Sequence, residues 1–302
     1  MRRSSESIVA EPRTAGTIYD LGYQQYRGER LGRANAIRSL FMFSFRTAFG
    51  IGRGSRSKAI PIIVISVVSL VALGMIFMAS STGQTSIINY AAHLSLTAQF
   101  LALFAAAQAP ELIVTDRQHG VLSLYLSRPM SGTDYAIAKM CALVAAMLVI
   151  TLGPQLFLFG GKVFLSATPS VAFKDEYRKL APMIAGMFVT SCFMASIGLG
   201  IGSLASRRAY ATAAIIGLFL ILPAASSIIR TTATGDVKRY AILANPMMLI
   251  NGFAAWLFNV EAKRRSEIGR ADLPGTAYLY AILVVCAVGM TIVWSRYRKS
   301  EA

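Results

Sequence analysis

Residues 113–140 read IVTDRQHGVLSLYLSRPMSGTDYAIAKM, and they join two long apolar runs at 88–109 and 134–158. Each run meets the roughly 20 residues that a helix needs to cross a hydrocarbon core of about 30 Å. The connection between them carries Asp116, Arg117, His119 and Arg128. The stretch HGVLSLYLS is compatible with a short helix and brings Val121, Leu122, Leu124 and Tyr125. It stops at Arg128-Pro129, because the residue before a proline is pushed out of the helical region. Asp134, Tyr135 and Lys139 then open the next run. A short helix with apolar residues and mixed charge at a membrane surface suits a partner's cleft. An ordinary solvated connection is the other reading of the same residues.

Working outward, the chain contains four more such runs, giving expected spans at 59–79, 88–109, 134–158, 181–205, 209–229 and 277–295. Charged residues make up only 15% of the 302 and the mean hydropathy is +0.55. A soluble domain would carry about a quarter charged. The expected fold class is therefore an all-α membrane protein with six transmembrane helices. The formal charge is +16. Because the basic residues flank apolar segments, they point to orientation in the membrane and contact with anionic lipids rather than to nucleic acid.

If the spans alternate, 19 Lys and Arg fall on the side of both termini and 11 on the other. Cytoplasmic segments carry the excess of Lys and Arg, so both termini are expected in the cytoplasm of a multi-pass plasma-membrane protein. Residues 1–32 read as a cytoplasmic tail, and MRRSSESIVAEPRTAG at its start has no apolar core of a signal peptide. Residues 33–58 read as an interfacial amphipathic helix, with Phe41, Phe45 and Phe49 on one ridge and Arg38, Arg46 and Arg53 beside it. Gly50, Gly52 and Gly54 would end it before the six-span domain at 59–298. Within that domain NPMMLINGFAAWLFNV, about 245–260, is too short for a comfortable span. It reads as a re-entrant or surface-lying helix on the outer side, with a seventh span as the alternative.

The chain lacks the pattern GxxxxGK[ST]; GIGRGSRSK at 50–58 and FGGKV at 159–163 have the wrong spacing. HExxH and GxSxG are absent, and two histidines do not make a multi-His metal site. Cys141, Cys192 and Cys286 fall inside expected spans and read as buried free thiols. No catalytic, cofactor or metal residues are assigned, and the chain is not expected to be an enzyme. Asn89, His93 and Thr97 share one face of the second span, either lining a polar path or hydrogen-bonding helices together. Pro154 and Pro223 are expected to kink their spans. Ser196, Gly198, Gly200 and Gly202 have the small-xxx-small spacing of close helix packing.

The stretch APELIVTDRQHGVLSLYLSRPMSGTDYAIAKM resembles the signature region of ABC-2 type transporter permeases. The matching residues are Asp116, Arg117, Gly120, Leu122, Leu124, Ser127, Pro129, Tyr135 and Lys139. The layout over about 17–298 is similar too, and IYDLGYQQYRGERLGR at 18–33 resembles bacterial, particularly actinobacterial, permeases. The resemblance implies a membrane subunit of an exporter that pairs with a second permease, itself or a homologous chain. Two cytoplasmic ATPase subunits, holding ATP and Mg, would power it. The loop would be the coupling helix, contacting the ATPase through Glu111, Asp116, Arg117, His119, Gly120, Leu122, Leu124, Arg128 and Pro129. Arg207 and Arg208 would form a second cytoplasmic contact. The transport path would run between the second and fifth spans, with Asn89, His93, Thr97 and Pro223. A non-transport anchoring or sensory subunit using the same loop is the alternative; a secondary transporter would call for intramembrane charges and a repeat.

Overall fold

A computed structural model describes residues 32–126, 130–260 and 266–298. Arg128, Pro129, the side chain of Leu122 and all but Gly32 of the expected tail lie outside the described residues. The chain runs through α1 (Arg33–Ala48), α2 (Ser55–Thr82), α3 (Tyr90–Gln118), α4 (Val121–Leu126), α5 (Gly132–Phe164) and α6 (Pro169–Leu204). It continues through α7 (Arg208–Thr232), α8 (Gly235–Tyr240), α9 (Pro246–Leu257), α10 (Glu267–Ala271) and α11 (Gly275–Arg298). The described residues contain no strand. Six helices, α2, α3, α5, α6, α7 and α11, are long and apolar enough to cross a membrane. The protein is thus an all-α membrane protein, as its apolar runs require.

The spans are longer than their charge-free windows. At 1.5 Å per residue, α3, α5 and α6, with 29, 33 and 36 residues, reach about 43, 50 and 54 Å. The expected second span ended at 109, yet α3 continues through Glu111, Asp116 and Arg117; the expected fourth began at 181, yet α6 begins at Pro169. The physical reason is that Glu111, Asp116 and Arg117 of α3 and Glu176 of α6 each have a partner on another element, so backbone hydrogen bonding continues past the edge of the apolar run. Local caps fix the ends. Ser131 and Asp134 form a reciprocal capping box on α5, with Asp134 N–H donating to Ser131 Oγ at 3.2 Å and Ser131 N–H to Asp134 Oδ2 at 3.0 Å.

α3, α5 and α6 bury most of their apolar surface, whereas α2, α7 and α11 leave much of theirs exposed. The small residues of α6 serve two neighbours. Gly198 faces α3, where an added Cβ would come within 2.8 Å of the Ala109 Cβ. Gly200 faces Gly289 of α11, and a Cβ on Gly289 would lie 2.5 Å from the Ser196 carbonyl oxygen. Backbone approach this close is what small-xxx-small spacing permits.

α1 ends at Ala48, short of the 58 expected, and Gly50 turns the chain with φ +68°. α1 packs on α5 and α3, burying Leu40, Ser44, Thr47 and Ala48. Phe41, Phe45 and Phe49 form the expected ridge, with ring centroids 6.2 and 5.2 Å apart, and Phe49 continues to Phe104 of α3 at 6.3 Å. Protein therefore covers much of this ridge, while Met42 and Phe43 face outward. The 245–260 segment becomes α9, which meets the preceding α8 and its 3-10 turn at 93°. With 12 residues it is about 18 Å long, and its Leu249, Ile250, Phe253 and Ala254 are buried. Its close fit on α11 needs Gly252, whose Cβ would otherwise meet the Tyr278 ring at 2.5 Å.

Candidate functional site: the α3–α4 junction

The last two turns of α3 lead directly into α4, and every charged side chain there is held by a different part of the bundle. Glu111, 9% exposed, pairs with Arg53 before α2 and with Arg208 at the start of α7. Asp116 receives Lys139 Nζ of α5 at 2.7 Å and the Tyr135 hydroxyl at 2.9 Å. Arg117 donates to the carbonyl of Ser203 at 2.6 Å and to that of Ala205, at the turn between α6 and α7. Gln118 donates to the Ser206 carbonyl at 3.3 Å. Asp134 accepts a two-pronged contact from Arg33 of α1, both distances 2.8 Å. Lys139 is only 1% exposed, so its ammonium depends on Asp116: an unpaired charge there would be strongly destabilising.

Gly120 separates α3 from α4 with φ +66°, a left-handed geometry that costs other residues about 1–2 kcal/mol. Beyond it, α4 is attached through rings. Tyr125 lies 5.9 Å from Tyr135, which lies 5.0 Å from Tyr297 near the end of α11. Leu124 points outward at 65% exposure, and His119 and Gly120 are exposed. Arg207 and Arg208 are exposed on the same end of the bundle, Arg208 reaching back to Glu111.

The sequence grouped Glu111, Asp116 and Arg117 with the residues that would face a partner. In the folded chain these three point into the bundle and bind its helices together, whereas Leu124, His119 and Arg207 face out. One signal of this was available: a carboxylate at 111 beside an uninterrupted apolar run must find a cation. Which cation would supply it, Arg53 or Arg208, was not visible, since both lie far from it in the chain.

The expected path residues separate. Asn89 caps α3, accepting from the Ala92 N–H at 3.1 Å. His93 is 1% exposed and its Nε2 lies 3.1 Å from the Val68 carbonyl of α2. Thr97 is equally buried and donates to the His93 carbonyl at 2.8 Å. Near them Gln155 donates to the Tyr90 carbonyl, and the Tyr90 hydroxyl donates to Glu176, which also pairs with Lys162 and Lys179. These polar groups join α2, α3, α5 and α6. Pro223 lies elsewhere, in an apolar groove of about 480 Å³ between α3, α7 and α9 that also contains Gln99, Leu103 and Asn245. Gln99 is the polar residue of α3 on that face.

Six spans, with their charged groups gathered at helix ends, define a multi-pass membrane protein. The chain belongs to the ABC-2 family transporter proteins, whose family description matches residues 16–302. Among curated proteins, none matches it. It is a permease subunit of an ABC transporter, the family's membrane component without nucleotide-binding motifs of its own.

Proposed function

We propose that the chain is the membrane subunit of an ABC exporter, moving substrate outward with energy from a separate cytoplasmic ATPase present in two copies, which hold the ATP and Mg. A second permease, this chain or a homologue, completes the channel. The end bearing α4 is cytoplasmic, as are both termini, in keeping with the excess of Lys and Arg there. The observation that carries the reading is the α3–α4 junction: a short helix with an exposed leucine, fastened at its root to the α1–α2 turn, α5, α6 and α7, and through its rings to α11.

In this reading α4 sits in a groove on the ATPase, through Leu124, His119 and Gly120, with Leu122, Arg128 and Pro129 of the same loop; Arg207 makes the second contact. Closure of the ATPase pair displaces α4. Tyr125 pushes on Tyr135 and Tyr297, which moves α5 and α11, while Asp116 and Arg117 carry the motion to α5 and the α6–α7 turn. A packed core does not deform continuously, so a shift at this root is converted into rearrangement of whole helices. Substrate passes along the groove between α3 and α7, where Gln99 and Pro223 lie, rather than past His93 and Thr97. Co-purification in mild detergent, with the chain expressed beside its neighbouring genes, tests this. A stoichiometric P-loop ATPase that is lost on Leu124→Asp supports the reading, and a chain that purifies alone under every condition overturns it.

A further inference from the structure

We infer that one face of α7 forms, with its neighbours, a binding site for an anionic amphiphile. Its apolar body lies in the α3–α7–α9 groove and its head lies against Arg230, Lys238, Arg239 and Arg270. Ile216, Leu220, Pro223, Ser227 and Arg230 recur every three or four residues, and Thr231 lies four after Ser227, so they share one face of the helix. The first three line the apolar groove of about 480 Å³. The last three line a polar recess of about 670 Å³ closed by α8 and α10. Both volumes fall within the range of small-molecule sites, about 300–1,000 Å³.

The recess is basic in a usable way. Four cations line it against two carboxylates, Glu267 and Asp272. Glu267 is committed to Arg230 at 2.7 Å. Arg239 is held instead by backbone: it donates to the Ala271 carbonyl at 3.0 Å and to the Asp272 carbonyl. Carbonyl oxygens orient a guanidinium without cancelling its charge, which leaves it suited to a phosphate or carboxylate. From Ile216 to Arg230 the helix rises about 21 Å, so the two halves together match an elongated molecule with a charged end rather than a compact anion. The charged end lies at the last turns of α7, where a headgroup layer would be, and the body lies along its apolar middle.

This identifies the cargo class if the exporter reading holds, but the binding itself does not depend on that reading. The test uses the full chain without its ATPase, titrated into a fluorescent short-chain phosphatidylglycerol or the matching phosphatidylcholine and read by anisotropy. The expected result is about tenfold tighter binding of the anionic probe, a preference erased by the double variant K238Q/R270Q, both of whose positions are exposed. Leu103→Trp, which fills the groove, weakens both probes. Equal binding of the two lipids by the unaltered chain overturns the inference. So does displacement of the anionic probe by millimolar inorganic phosphate with Leu103→Trp silent, which would mark a free-anion site. A failed lipid preference leaves the permease reading standing, and a failed ATPase co-purification leaves the lipid site standing.

Discussion

Asp116 lies 2.7 Å from the ammonium of Lys139, a lysine only 1% exposed, and this pair joins α3 to α5 at the root of α4. The Tyr135 hydroxyl donates to the same carboxylate at 2.9 Å, so one side chain satisfies two buried donors. Asp116 thereby belongs to the frame that holds α4 rather than to the surface that α4 presents.

Removing that carboxylate strands a buried cation. Asp116→Ala is expected to destabilise the protein by about 3–5 kcal/mol. The double change to Asp116→Ala with Lys139→Met removes both charges and is expected to recover most of that loss. Thermal unfolding in detergent checks it; equal stability of Asp116→Ala and the unaltered chain would show the pair to be idle.

Leu124 offers the complementary test, because it is 65% exposed at the tip of the junction. Leu124→Asp is expected to leave the melting temperature within a degree or two and to remove the ATPase from the purified complex. Surface changes of this kind usually alter stability by only about 0.5 kcal/mol. A lower melting temperature with the ATPase retained would place Leu124 in the frame instead.

The α6–α11 contact separates packing from lipid exposure. Gly289→Ala puts a Cβ 2.5 Å from the Ser196 carbonyl oxygen and is expected to cost about 1–3 kcal/mol as overpacking. Gly74→Ala meets nothing within 4 Å and is expected to be neutral or to stabilise α2 by up to about 1 kcal/mol. Unfolding curves of the two variants, measured side by side, should separate, with Gly289→Ala the less stable and Gly74→Ala no less stable than the unaltered chain.

His93 and Gln99 both lie on α3 and should behave differently. His93→Leu gives up the contact with the Val68 carbonyl and is expected to lower stability by about 1 kcal/mol while leaving substrate preference unchanged. Gln99→Leu alters the groove and is expected to change the concentration of amphiphile that half-saturates the chain. Substrate preference that followed His93 instead would move the path to the α2–α3–α5 side.

Much of this architecture is legible from hydropathy, because six runs of apolar residues have few alternatives to helix in a bilayer. The short helix was legible from the run HGVLSLYLS and the proline that follows, but that run took in His119 and Gly120, whereas the helix begins at Val121 after the turn at Gly120. The small residues of α6 announced close packing, though not that alternate positions serve α3 and α11. What escaped was pairing across the chain. Glu111 with Arg53 and Arg208, or Asp116 with Lys139, are contacts between residues whose meeting depends on how helices cross, and linear spacing carries no record of that. The same holds for His93, whose helical face was visible but whose neighbour, the Val68 carbonyl, was not. The basic recess was hidden for a similar reason: Arg230, Lys238, Arg239 and Arg270 are scattered over 41 residues and converge only when α8 folds back on α7.

In the proposed mechanism α4 is the surface through which a separate ATPase drives this permease. The most direct measurement places a photo-crosslinking amino acid at position 124 in the co-expressed complex, with a second one at position 284 on the exposed apolar face of α11 as the comparison. The expected result is a crosslink from position 124 to a P-loop ATPase subunit, with a yield that changes on adding ATP, and none from position 284. An ATPase that co-purifies but crosslinks from neither position, or equally from both, would contradict it.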